Sequence, residues 1–195
     1  MTELRTVTAF GAMLLATSMG LGGCAAAVVG GTAVAVHDRR SVGTVLDDQT
    51  IEFQVIDHIY STDEIGQESH IKVEVYKSVV LLMGETDTVE KAELAARRAA
   101  EVDNVDHVVN ELQVREAASV GQKFNNSWLT AKVNTALLAK NPVPGFDPTR
   151  IKVVTSNDTV YLMGVVSREE GDAVAEVARN VGGVERVVKV FNYSD

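Results

Sequence analysis

The sequence of 195 residues contains one cysteine, three prolines and few aromatic side chains, which make up 5% of the chain. A single cysteine excludes an intramolecular disulfide, and alone it cannot build a zinc or iron–sulfur site. Because aromatic residues are scarce while hydrophobic residues reach 46%, the core has to be built mainly from valine, alanine, leucine and isoleucine. The composition, with 23% charged residues, is that of a globular chain and not of a disordered one.

The chain also lacks an excess of positive charge and several sequence motifs that are common in enzymes. Its net charge is −9, which argues against a nucleic-acid partner because phosphate neutralisation needs a basic surface. No two of the four histidines have a metal-binding spacing, and there is no P-loop, no Rossmann fingerprint and no Gly-x-Ser-x-Gly elbow. We therefore predict no enzymatic activity, no catalytic residue, no cofactor and no metal site.

The N-terminus has the plan of an export signal. Arg5 precedes an uncharged apolar segment, 6–21, which is short for a transmembrane helix, and small residues follow. Residues 21–24 read Leu-Gly-Gly-Cys, which resembles the lipobox of bacterial lipoproteins, whose cysteine is lipid-modified and becomes the first mature residue. We predict a signal peptide over 1–23, lipidation of Cys24, and a lipidated N-terminus and linker over 24–46. An ordinary signal peptide or a retained anchor is the alternative.

The rest of the chain contains an internal repeat. The segment Ile-Lys-Val at 71–73 recurs at 151–153, and Leu-Met-Gly at 82–84 recurs at 162–164. A valine pattern over 102–109 recurs over 181–188 at nearly the same offset. Matched blocks in one order indicate a duplication, so we predict one domain over 47–115, a linker over 116–125 and a second domain over 126–192.

Each repeat predicts the order α-β-β-α-β. Apolar residues four apart, beginning at Ile51 and at Leu129, are typical of amphipathic helices, and alternating valines indicate half-buried strands. Polar pairs at 77–78 and 157–158 predict hairpin turns, and glycines at 84 and 164 are expected to end the second strands. The prediction is an α/β chain of the α+β type, with a three-stranded mixed sheet covered by two helices in each repeat.

A strand ending in Leu-Met-Gly, an alanine-rich helix and a Val-x-x-Val-x-x-Val-Val segment together resemble the BON domain, and both repeats match. A lipobox followed by two such domains resembles the DolP (YraP) group of outer-membrane lipoproteins. That resemblance implies a role in outer-membrane integrity, association with division sites, and binding of anionic phospholipid by the second domain. The absence of Asp after Cys24 is consistent with an outer-membrane location on the periplasmic face.

The distribution of charge agrees with a lipid role for the second domain. Residues 47–115 hold sixteen acidic and six basic side chains, for a net charge of −10, whereas residues 126–192 hold seven and eight, for +1. Anionic lipid such as phosphatidylglycerol or cardiolipin would repel the first domain and tolerate the second.

The first helix of the second repeat contains the candidate lipid contacts. Trp128 and Lys132 lie four residues apart on a flank of the predicted core face, and Leu138 points nearly opposite to that face. Lys123 and Lys140 are further candidates. The residues alone also allow Trp128 to cap the core or to pack between the domains, and they leave open whether the two domains meet through sheets or helices. The alternative function is a protein-interaction scaffold for outer-membrane assembly or stress factors.

Overall fold

The computed structural model describes residues 40–61, 63–66 and 68–194. The predicted signal peptide, Cys24 and residues 24–39 of the predicted linker lie outside the described residues. Those described all belong to one compact unit, 37–195. This unit contains its own hydrophobic cores, so it is suited to production without residues 1–36.

The predicted order α-β-β-α-β is confirmed in both repeats. The elements of the first repeat are α1 (Val42–Tyr60), β1 (His70–Tyr76), β2 (Val79–Thr86), α2 (Val89–Ala100) and β3 (His107–Val114). Those of the second are α3 (Val120–Lys140), a 3₁₀ turn (Pro148–Arg150), β4 (Lys152–Ser156), β5 (Thr159–Val166), α4 (Arg168–Arg179) and β6 (Arg186–Tyr193).

Each repeat forms a three-stranded mixed sheet, as predicted. The strand orders are β1-β2-β3 and β4-β5-β6; the first pair of each sheet is antiparallel and the second pair is parallel. The hairpins turn at 77–78, with φ of 49° and 64°, and at 157–158, with φ of 48° and 58°. Two successive residues in the left-handed region are the mark of a type I′ turn, whose twist suits a two-residue hairpin.

One face of each sheet packs against the two helices of its own repeat and forms a domain core. In the first repeat, Val55 and Ile59 of α1 contact this face of the sheet, to which β2 contributes Val80 and Leu82. In the second repeat, the corresponding core contains helix residues from α3 and α4 and sheet residues from β4 and β5. These include Leu129, Val133, Leu137, Val153, Val160, Leu162, Val174 and Ala178.

The opposite faces of the two sheets pack against each other. The cluster between them consists of Tyr76, Val79, Leu81 and Met83 from the first sheet and Tyr161, Met163 and Val190 from the second, all buried. Because strands β2 and β5 are covered on both faces, they are apolar runs without alternation. The domains therefore meet through their sheets, which the sequence left open.

At the border of this interface Glu74 pairs with Lys152, and Glu111 pairs with Arg186. Burial and the Glu111 charge raise the pKa of Tyr161 to about 12.

Four predicted boundaries differ from the structure. Helix α1 begins at Val42, inside the range predicted as the first linker, and α3 begins at Val120, inside the range 116–125 predicted as the second linker. The glycines do not end the second strands, which continue to Thr86 and Val166. Gly84 instead has φ of +112°, and a Cβ there would lie 2.1 Å from the His70 carbonyl oxygen, so a close approach of strand β1 requires glycine.

The reason for the late predicted helix starts is a polar residue on the core side of each first helix. Asp48, 3% exposed, accepts hydrogen bonds from the backbone N–H groups of Lys77 (2.8 Å) and Ser78 (2.9 Å) in the hairpin turn. It also pairs with Arg40 at 2.6 Å. In α3 the equivalent Asn126 accepts from the next hairpin. Buried polar residues need such partners, and here they interrupt the apolar pattern that marks a helix.

Candidate functional site

Helix α3 is fixed firmly at both ends. Ser119 precedes it as N-cap, where its hydroxyl accepts from the Gln122 backbone N–H and the Gln122 side chain accepts from the Ser119 backbone N–H at 2.8 Å. This reciprocal capping box satisfies two donors that a helix start leaves free. At the other end, Asn141 adopts the left-handed conformation with φ of 40° and its N–H bonds the Leu137 carbonyl. The helix is about 30 Å long at 1.5 Å per residue.

The side of α3 opposite the core carries a row of large apolar residues in solvent. Val120 is 71% exposed, Phe124 73%, Trp128 65% and Leu138 60%. Ala131 and Thr135 lie between them. At about 100° per residue, these six positions fall within about 80° of one another, so they form one continuous face. We call them the α3 outer row.

The charges on α3 are all positive. Lys123, Lys132 and Lys140 are its only charged residues, and none of its 21 residues is acidic. Lys123 and Lys140 are exposed, and Lys140 in the last turn complements the helix dipole. Lys132 is half-buried, and its ammonium donates to the Gly182 carbonyl oxygen between α4 and β6. An ammonium has three N–H groups, so this bond leaves two for another acceptor.

The equivalent helix of the first repeat has the same apolar pattern with the opposite charge. Its outward side presents Val42, Leu46, Phe53, Ile56 and Tyr60, of which Phe53 is 72% exposed. We call these residues the α1 outer row. The helix carries four acidic side chains and no lysine or arginine. Burial and repulsion from Glu74 raise the pKa of Glu52, one of the four. The two helices therefore offer similar apolar faces in opposite electrostatic surroundings.

Two of the five predicted contact residues lie in the α3 outer row, and the three lysines lie beside or beyond it. Trp128 and Leu138 lie in the α3 outer row; because Trp128 points into solvent, it neither caps the core nor packs between the domains. Lys132 flanks the row but bonds the backbone, and Lys140 lies beyond it at the C-terminal end. Lys123 lies on the other flank, where it lines a cavity together with residues of the first domain. The roles of these residues in binding lipid stay predictions.

Sequence reasoning missed Val120 and Phe124, because both fall in the segment predicted as linker. Phe124 lies four residues before Trp128, and Val120 four before that, so the spacing that continues an apolar helix face was present in the sequence. Phe53 and Tyr60 lie on the outward side of α1. Phe53 is exposed, while the Tyr60 hydroxyl donates to the Ser69 carbonyl oxygen at 3.2 Å and accepts from the Ile71 N–H.

Helices that lie in a membrane interface present an apolar row together with lysine or arginine on the polar side. Between Arg40 and Ser194, none of the helices described is both long and apolar enough to cross a bilayer. Within the same residues, no group of three or more His, Cys, Asp or Glu side chains is arranged to hold a metal ion. The exposed surface of α3 therefore combines a row of apolar side chains with flanking lysines.

Comparisons with known proteins assign the family. The BON domain model matches residues 47–116 and 125–195. The chain is 36% identical over 187 residues to the outer membrane lipoprotein DolP of Haemophilus influenzae, covering 94% of this chain and 95% of that protein. It is 39% identical over 156 residues to a 21 kDa hemolysin of Actinobacillus pleuropneumoniae (80% and 79%), and 31% over 151 residues to the osmotically-inducible protein Y of Escherichia coli (76% and 73%). The chain belongs to the BON-domain proteins, as a two-domain member of the DolP group.

Proposed function

We propose that this protein is an outer-membrane lipoprotein, anchored through lipid on Cys24 at the periplasmic face, whose second BON domain docks on anionic phospholipid and so supports envelope integrity. The similarity to an outer membrane lipoprotein over 94% of the chain supports the location. The activity is binding and not catalysis. Phosphatidylglycerol and cardiolipin are the lipids whose negative charge suits the site.

The observation that carries the proposal is the α3 outer row. Val120, Phe124 and Trp128 are each at least 65% exposed, and a soluble surface rarely keeps three such side chains in line without a use. In a bilayer interface the indole and phenyl rings leave water for the acyl boundary. The lysines of α3 meet the phosphates, each contributing about 1 kcal/mol at an anionic surface.

The lipid anchor and α3 would act on the same membrane. Each acyl CH₂ in the bilayer contributes about 0.8 kcal/mol, so the acyl chains on Cys24 would hold the protein at the surface. Once held there, the second domain meets the headgroups at a high effective concentration, and even weak docking is then well populated. Docking by α3 would therefore orient the folded unit 37–195, the body of the protein, whereas the acyl chains would retain it at the membrane.

The test is co-sedimentation of the 37–195 body with vesicles of phosphatidylcholine alone and with phosphatidylglycerol added. We expect binding to the anionic vesicles alone, and loss of that binding in Trp128→Glu. Phe53→Glu, at the equivalent surface of α1, is the matched control and should bind as the wild type does. Absence of binding to both kinds of vesicle would overturn the proposal, as would an equal loss in the two variants.

A second candidate function rests on the α1 outer row. Phe53 and its neighbours are exposed like the residues of α3, but Asp47, Glu52 and Asp57 on the same helix would be repelled by anionic lipid. An apolar face in acidic surroundings complements a protein that presents an apolar patch edged by lysine or arginine. This surface would serve the scaffold role, with envelope assembly or stress factors as partners.

The scaffold role is tested by capture without lipid. The wild-type body, immobilised in detergent-free buffer, should retain a basic envelope protein that Phe53→Glu loses and Trp128→Glu keeps. Retention that depends on Trp128 instead, or that requires added phospholipid, would contradict it.

A further inference from the structure

A cavity of about 300 Å³ lies at one open end of the space between the two domains. It is bordered by the start of β1, the end of β2, the segment before α3 and the first two turns of α3. Its volume is at the lower end of the range for small-molecule sites. No residue of the α3 outer row lines it.

The floor of this cavity is polar. Glu85, Asn126 and Ser156 line it and are each no more than 5% exposed. Glu85 is a buried carboxylate on the sheet face turned towards the other domain. One of its oxygens accepts from the Asn157 side chain at 2.7 Å, and no other side-chain bond or ion pair of this group is made within the residues described. A carboxylate has about four acceptor positions, so Glu85 retains capacity for a donor that enters the cavity.

The rim is cationic. Lys72 and Lys123 line the cavity and are exposed, and neither is ion-paired among the residues described. His70 lies beside them, where its Nδ1 contacts the Glu68 carbonyl oxygen at 3.0 Å. The buried group of the cavity is therefore negative and the exposed groups are positive, which separates the two charges along the direction of entry.

We propose that this cavity binds a small zwitterion in which a primary ammonium lies next to a phosphate, the chemistry of phosphoethanolamine. The ammonium would pair with Glu85 on the floor, and the phosphate would lie between Lys72 and Lys123 at the rim. A simple anion is disfavoured because Glu85 repels it from the floor. A simple cation is disfavoured because it must pass the lysines. Such a group comes either from a phosphatidylethanolamine headgroup or from a soluble phosphoethanolamine compound.

The cavity does not require the α3 outer row to contact lipid, and the two are tested separately. Amide chemical shifts of the 37–195 body are followed during titration with O-phosphoethanolamine. We expect saturable shifts at Glu85, Asn126 and Ser156, with ethanolamine and inorganic phosphate binding at least about ten-fold more weakly because each loses one charge pair. Equal affinity for inorganic phosphate, or no saturable shift, would overturn the proposal.

Glu85→Gln is the decisive variant, because the amide oxygen of glutamine still accepts the hydrogen bond from Asn157 while the charge is lost. It should weaken phosphoethanolamine binding about ten-fold or more. Glu111→Gln, at another carboxylate of the interface, is the matched control and should leave the affinity unchanged. Unchanged affinity in Glu85→Gln would refute the assigned ammonium contact.

Vesicles distinguish the two sources. At a fixed fraction of phosphatidylglycerol, replacing phosphatidylcholine by phosphatidylethanolamine should strengthen binding of the wild type and not of Glu85→Gln. If soluble phosphoethanolamine binds but this replacement has no effect, the site is supported and its ligand is a soluble compound. Trp128→Glu should lose vesicle binding and keep the titration with phosphoethanolamine, so that failure of the membrane proposal is separable from failure of this one.

Discussion

Truncation of Phe124 to alanine tests the α3 outer row quantitatively. Full burial of a phenylalanine side chain contributes about 1.5 to 3 kcal/mol relative to exposure. Phe124 is 73% exposed in the free protein, so roughly three quarters of that gain, about 1 to 2 kcal/mol, remains to be made at a membrane. Phe124→Ala should therefore reduce the partition coefficient onto anionic vesicles by ~5- to 30-fold.

The assay is co-sedimentation of the 37–195 body over a range of lipid concentrations, with phosphatidylglycerol vesicles at low and at high salt. Because the lost contribution is apolar, the ratio of wild type to Phe124→Ala should be the same at both salt concentrations, although salt weakens binding of both. Thermal unfolding should be unchanged, since the side chain points into solvent.

Phe53→Ala supplies the control, because Phe53 is 72% exposed at the corresponding face of α1. It removes the same amount of exposed apolar surface from the same kind of helix, but in acidic surroundings. We expect no change in vesicle binding. A loss in Phe53→Ala equal to that in Phe124→Ala would refute the reasoning, because binding would then follow general surface hydrophobicity and not the position of α3.

Three further predictions concern the fold. Asp48→Ala should lower the free energy of unfolding by about 2 to 4 kcal/mol in denaturant titrations, because two N–H groups of the hairpin lose their acceptor. Asn126→Ala should lower it by about 1 kcal/mol or less, because the hydrogen bond that Asn126 accepts is long, at 3.5 Å. Gly84→Ala should lower the free energy of unfolding by about 3 kcal/mol or more, because Gly84 combines a positive φ with a backbone oxygen 2.1 Å from the added Cβ. Gly164→Ala, which lacks this combination, should lower it clearly less. Equal melting temperatures of the two variants would contradict this. Because the pKa of Glu52 is raised above its ordinary value of 4.5, the native state disfavours its charged form. Glu52→Gln should therefore be more stable than wild type at pH 7, with the difference shrinking as the pH falls through the raised pKa and absent below 4.5.

The order of elements was predictable because each signal is local. The hairpin turns at 77–78 and 157–158 are marked by polar residues between apolar runs, and the structure has a two-residue turn at both positions. The box formed by Ser167 and Glu170 caps α4, where each side chain bonds the backbone of the other. Because the chain contains two copies of the repeat, each element predicted in one copy was supported by the same pattern in the other.

The start of each first helix was not predictable from the apolar pattern. Asp48 and Asn126 occupy the positions at which the core face would continue towards the N-terminus, and their polarity reflects bonds to a hairpin about thirty residues away. Because the helix start was placed too late, Phe124 was assigned to a linker and the outer row was only half recognised. The arrangement of the two domains depends likewise on contacts that no local pattern records. Strands such as 79–83 are nevertheless apolar on both faces, which is consistent with a sheet that is covered on both sides.

The sheet-to-sheet interface bears on the origin of the two-domain chain, because equivalent positions of the two repeats contact each other across it. Leu81 and Met83 of the first sheet occupy the same repeat positions as Tyr161 and Met163 of the second, so each domain covers its partner with the surface by which it is itself covered. At these two positions the contact is reciprocal, as it is in the interface of a two-fold homodimer. A fragment with a single repeat would leave that face in water, and the surface best suited to cover it is a second copy of itself. Tandem duplication therefore makes permanent, within one polypeptide, an assembly that separate copies would form only at sufficient concentration.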